Sequence, residues 1–230
     1  MSSPASLPLV LVTGASQGIG RAVAQALAGK HNYHVLLGVR NPQSGETVAA
    51  PLRDAGHQAS VVQLDLTSPT SIEATIKYIQ TRFGYLDVLI NNAGILIDHH
   101  EGQTTWDLFT KTFTTNVMAG PPRVVFVSSV MGSLERSTDK TTPYYPIDYK
   151  AYDASKAAVN MLTLNYARIL DDAGGKANCV CPGYVKTALT DFNEYGHSPE
   201  VGAERIVELA TLGEDGPTRT YSDRNGPLPW

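Results

Sequence analysis

The segment Thr13-Gly-Ala-Ser-Gln-Gly-Ile-Gly20 restricts what this chain can become more than any other. It lies between an apolar run, Leu9–Val12, and an amphipathic stretch, Gly18–Ala28, whose Ile19, Ala22, Val23, Ala26 and Leu27 share one face. A strand, a glycine-rich turn and a helix in that order suit a dinucleotide pyrophosphate. Glycines let backbone N–H groups approach the phosphates, and the helix N-terminus adds partial positive charge. The plainer alternative is a tight structural turn.

The rest of the chain repeats the alternation of short apolar runs with amphipathic stretches. Strands are expected at His34–Val39, Ser60–Asp65, Leu86–Asn91, Val124–Ser128 and Ala177–Cys181, with a short closing strand at Thr218–Tyr221. Helices are expected at Ser44–Ala55, where Pro51 should shorten or kink the segment, and after Ser68-Pro69, an N-cap followed by proline. The second of these should turn Ile72, Ile76, Ile79 and Phe83 inward. Two more are expected, at Ala151–Leu170 and from Ser198-Pro199 to about Leu212. This pattern predicts an α/β fold, a single-domain doubly wound parallel sheet of Rossmann type spanning residues 1–230.

Composition narrows the partners. The net charge of −4 and pI near 5.8 argue against nucleic acid, which favours a concentrated basic surface. The start Met1–Pro8 lacks the basic residues of a secretory signal, and no apolar run approaches membrane-spanning length. The final Pro-Leu-Pro-Trp is no retention or peroxisomal signal, so a soluble cytoplasmic protein is expected. Cys179 and Cys181 read as buried thiols rather than metal ligands, because no further Cys or His stands nearby; no metal site is expected. Adjacent His99 and His100 beside Glu101 face different ways and read as a solvated loop.

The spacing Gly14…Gly18…Gly20 resembles the TGxxxGxG turn of the short-chain dehydrogenase/reductase family. Further motifs follow in that family's order: Asn91-Asn-Ala-Gly94 after the fourth strand, Tyr152-Asp-Ala-Ser-Lys156, and Pro182-Gly183 with Thr187 after the sixth strand. Gly213–Trp230, with Asp215-Gly-Pro-Thr218 and the final Pro-Trp, looks like carbonyl-reductase-type members. The resemblance implies a nicotinamide cofactor held by Thr13, Gly14, Gly18, Ile19 and Gly20. Asn92, Ala93, Gly94, Pro182, Gly183, Val185 and Thr187 complete that set, together with Tyr152 and Lys156. It also places Asp65 and Leu66 at the adenine; a structural cap by Asp65 is an equal alternative.

An acidic residue ending the second strand would select NAD(H). Val39 stands there instead, followed by Arg40, whose planar fork of donors suits a 2′-phosphate, so NADP(H) is expected ahead of NAD(H). A solvated surface charge is the other reading of Arg40.

The catalytic set that the resemblance implies is Asn116, Ser129, Tyr152 and Lys156. Tyr152 and Lys156, four apart, share one helix face. A free tyrosine titrates near pH 10; lowering that by ~2–3 units takes roughly 3–4 kcal/mol, part of which a neighbouring ammonium supplies. Ser129 would stabilise the oxyanion of a carbonyl substrate, with Ser128 its structural neighbour. Asn116 would hold a water path to Lys156. The implied reaction is reduction of a ketone or aldehyde, or its reverse, on a small carbonyl or alcohol substrate. Tyr144, Tyr145 and Tyr149 would line an aromatic pocket or merely cover the core.

The chain departs from the family between Asn116 and Ser129, only 13 positions apart, where typical members carry a long helix. Residues 117–123 span at most ~25 Å even when extended, which predicts a shortened crossover before the fifth strand. That puts the role of Asn116 in question, and with it the usual dimer surface, so a homo-oligomer stays open. It also admits an alternative to catalysis, a cofactor-binding pseudoenzyme or sensor. Ser129 and Tyr152, by contrast, lie 23 positions apart, more than is usual, which predicts a substrate-side loop.

Overall fold

The computed structural model describes residues 7–94, 123–171, 174–213 and 215–230. Asn116, the His99-His100 pair and most of the 117–123 interval fall outside them.

Eight strands form one sheet: β1 (Leu9–Thr13), β2 (His34–Val39), β3 (Ala59–Gln63), β4 (Val88–Asn91), β5 (Arg123–Val127), β6 (Lys176–Val180), β7 (Tyr221–Asp223) and β8 (Gly226–Pro227). Their order is β3-β2-β1-β4-β5-β6-β7-β8, parallel throughout except for the β7–β8 pair. The strands are continuous apolar runs because helices cover both faces of the sheet. Alternate side chains serve opposite layers: Val10 and Val12 join one core, and Leu9 and Leu11 join another. In β5, Val125 and Val127 face the first core, while Val124 and Phe126 join a third that also holds Cys179 and Cys181.

Six helices accompany the strands in the described residues: α1 (Gly18–His31), α2 (Pro42–Asp54), α3 (Pro69–Arg82), the short α4 (Leu134–Thr138), α5 (Lys150–Leu170) and α6 (Pro199–Ala210). α1 runs past Ala28 until Asn32 closes it in a left-handed cap at φ 57°. α2 begins earlier than expected, at Pro42 with the Asn41 side chain capping Gln43 N, and it continues through Pro51 to Asp54. Pro51 and Thr47 are both exposed, so the Thr47 carbonyl that loses its helical donor lies on the solvent side of the helix.

Two expectations fail for local reasons. Ile76 does not face inward but is 50% exposed. The inward stripe of α3 passes instead through Thr75, whose hydroxyl donates to Gln63 O at 3.1 Å and Ser71 O at 3.0 Å. The closing strand is Tyr221–Asp223 rather than Thr218–Tyr221, because Asn178 holds the preceding segment through its side chain. No described helix is long and apolar enough to cross a membrane.

Candidate active site

The carboxyl ends of the parallel strands open onto a cleft of about 480 Å³. The glycine turn forms its floor. Gly14 and Gly18 take φ of 67° and 54°, a region costly for any side chain, and both need glycine. Gly20 needs it for a different reason: a Cβ there would stand 2.5 Å from both Asn92 Nδ2 and Gly14 O.

Asn92 and Thr13 explain how β4 fastens this turn. Thr13 Oγ1 accepts from Asn92 N at 3.1 Å and Ala93 N at 3.0 Å, and Asn92 Nδ2 donates to Thr13 O at 2.8 Å. Asn92 thus spends its amide on the backbone of the turn while Asn92, Ala93 and Gly94 line the cleft. Behind the turn, α1 starts with no side-chain cap and no acidic residue in its first turn. Its N-terminal N–H groups and dipole are therefore left for a ligand anion.

Thr13, Gly14, Gly18, Ile19 and Gly20 all line the cleft, and so do Arg40, Asp65 and Leu66. Arg40 is exposed at its rim. Asp65 lies beyond the end of β3, in the loop before α3. Its Oδ1 accepts from Thr67 Oγ1 at 2.7 Å and Thr67 N at 2.9 Å, bonds that hold the carboxyl below the usual carboxylate range. The structural-cap reading of Asp65 is therefore realised, on a residue that also faces the cleft.

From the other side α5 delivers Tyr152 and Lys156, 8% and 5% exposed, into the same cleft. Lys156 Nζ lies 5.5 Å from the centre of the Tyr152 ring and donates to Val127 O at 3.0 Å. Burial penalises its ammonium and takes Lys156 down to about 8. Ser129 stands just off the cleft wall, half-buried at the start of a 3₁₀ turn, Val130–Gly132, where its Oγ accepts from Met131 N at 3.2 Å. Ser128 reaches the wall instead, its hydroxyl donating to Asn160 Oδ1 at 2.7 Å.

Pro182 and Thr187 line the cleft; Gly183 and Val185 do not. Gly183 takes φ 80° under the ring of His197, and Val185 is buried against Gly202. Thr187 closes on the turn, its Cγ2 3.2 Å from where a Gly18 Cβ would sit. Sequence reasoning did not single out Gly38, Lys186, Leu189 or Phe192, which also line the cleft. Their signal was position: Gly38 pairs with Thr13 at a strand end, and the other three follow β6. Tyr144 and Tyr145 border a separate cavity of about 110 Å³ with Met131 and Arg136.

Known proteins resemble this chain in sequence and in architecture. A family profile described as Enoyl-(Acyl carrier protein) reductase matches residues 14–219. A short-chain dehydrogenase/reductase of Aspergillus fumigatus is 31% identical over 239 residues, covering 91% of this chain and 90% of that protein. One from Stachybotrys chlorohalonatus is 32% identical over 253 residues, covering 95% and 88%. That alignment is longer than this 230-residue chain, so the relative carries internal residues with no counterpart here.

Among solved structures, NADPH-bound carbonyl reductase from chicken fatty liver superposes with a TM-score of 0.82 at 24% identity, covering 97% of this chain and 99% of that one. Salutaridine reductase from Papaver somniferum superposes at 0.75 and 24%, covering 94% and 99%. These two likenesses establish the Rossmann-like fold. With the matched profile and the sequence relatives, they place this chain in the short-chain dehydrogenase/reductase family.

Proposed function

We propose that this oxidoreductase interconverts a ketone or aldehyde with its alcohol using NADP(H), within one domain that binds both cofactor and substrate. The observation that carries the reading is the convergence of Tyr152 and Lys156 with the glycine turn in one cleft. The cofactor fits the residues present: uncapped α1 and the left-handed glycines suit a pyrophosphate, and exposed Arg40 suits a 2′-phosphate. The NADPH carried by the chicken carbonyl reductase supports the same choice.

When bound, NADPH supplies the hydride. Tyr152 gives the proton to the carbonyl oxygen, and takes it back in the oxidative direction. Lys156 steadies the phenolate and bonds the nicotinamide ribose. Ser129 donates a hydrogen bond to the developing oxyanion; it stands beside the wall that Ser128 forms, one residue from the cleft. Asn116 is assigned the water path to Lys156. The remaining cofactor contacts are those that the resemblance assigned and that line the cleft; Gly183 and Val185 support Pro182 and Thr187 from behind and touch no cofactor.

Tyr152→Phe tests this directly. It should bind NADPH as the native chain does, by fluorescence titration, while turnover falls by about 10²- to 10⁴-fold; near-normal turnover would contradict the assignment. A second reading, cofactor binding without catalysis, draws on the internal residues that relatives carry and this chain lacks.

A further inference from the structure

Ser129 sits in a turn that is held from two sides by residues with no role in the chemistry above. On the helix side, Asn160 lies one turn beyond Lys156 on α5 and is 5% exposed. Its Oδ1 accepts from Ser128 Oγ at 2.7 Å, and its Nδ2 donates to Gly132 O at 3.1 Å. One amide thus grips the residues on both sides of Ser129. The turn is also pressed onto α5, since a Cβ at Gly132 would stand 2.6 Å from the carbonyl carbon of Lys156.

On the strand side, Tyr221 of β7 is 2% exposed and donates its hydroxyl to Ser129 O at 2.6 Å. The same carbonyl accepts from Gly132 N at 2.9 Å. Burial, with the neighbouring Cys181 and Cys179 thiols, keeps the Tyr221 hydroxyl protonated far above the usual phenol range. The upward shift favours the protonated, donating form that the bond to Ser129 O requires. Its ring packs against Trp230, with centroids 5.4 Å apart.

We infer that Tyr221 and Asn160 are positioning residues that together set where the Ser129 hydroxyl points relative to Tyr152. The inference rests on the proposed role of Ser129. Within the turn the Ser129–Val130 peptide is held by Gly132 N on its oxygen and by Cys181 Sγ, which accepts from Val130 N at 3.2 Å. The Tyr221 bond adds a hold on the same oxygen from the neighbouring strand, and misplacing a reacting group by about 1 Å costs up to ~10²-fold in rate.

A double-mutant cycle on the full chain tests it, with Tyr221→Phe, Ser129→Ala and the pair measured for kcat, KM and NADPH affinity. Tyr221→Phe should lower kcat by about 10- to 100-fold, with KM and NADPH binding within about twofold of native. Combined with Ser129→Ala it should add no further loss, because there is no hydroxyl left to position. Asn160→Ala, run through the same cycle, should behave alike.

Equal losses in the native and Ser129→Ala backgrounds would overturn the inference, as would native kcat in Tyr221→Phe. Native kcat in Ser129→Ala alone would instead sink the catalytic assignment of Ser129, and the inference with it.

Discussion

Burial lowers Lys156 from 10.5 in a free chain to about 8, and the thiols of Cys179 and Cys181 offset only part of that cost. Between those two values the unfolded chain binds the proton more readily than the folded one, so stability from this group rises with pH across that window. Urea unfolding without cofactor should therefore show the native chain gaining on Lys156→Met from pH 8 to 10.5. A constant difference between the two would show that the lysine is not dry. At Arg40, replacement by Ala should weaken NADPH binding by about 10-fold or more while leaving NADH nearly unchanged, as loss of a charge-assisted phosphate contact requires. Equal loss for both cofactors would assign Arg40 to the general surface. Tyr152 and Lys156 were legible because Tyr152-Asp-Ala-Ser-Lys156 resembles the family's motif; the four-residue spacing adds only that the two share one helix face. The depth of Ser129 was not, since two consecutive serines leave a strand on opposite sides and only the following turn decides which meets the cleft.

Elements were most legible where burial was two-sided. β1, β2 and β5 could be located from their apolar runs, and the structure agrees within a residue or so. Edges were harder because side chains far away in sequence decide them: Asn178 delays the closing strand, and Thr75 takes the inward place expected of Ile76. α2 persists through Pro51 because the break falls on its exposed side. Restoring a donor there with Pro51→Ala should stabilise the chain by about 1–3 kcal/mol, seen as a higher thermal midpoint. Unchanged or lower stability would mean the proline is compensated elsewhere. The turn between β1 and α1 gives the opposite expectation. Gly20→Ala drives a methyl group into Gly14 O and Asn92, so it should cost about 1–3 kcal/mol and weaken cofactor binding as well.

For the whole molecule, the parallel order was readable from the alternation of elements, and the placement of the cleft followed from it: ligands of such sheets bind at the carboxyl edge. What alternation does not encode is which loop side chains close over that edge, and Lys186, Leu189 and Phe192 came only with the structure. As proposed, this cleft both holds NADP(H) and turns over a carbonyl. The most direct measurement follows NADPH oxidation by the full chain against a panel of aldehydes and ketones, with NADPH and NADH binding read by fluorescence in the same samples. NADPH should bind more tightly than NADH, and at least one carbonyl should drive NADPH consumption that disappears in Tyr152→Phe. NADPH binding with no consumption on any carbonyl would contradict the proposal.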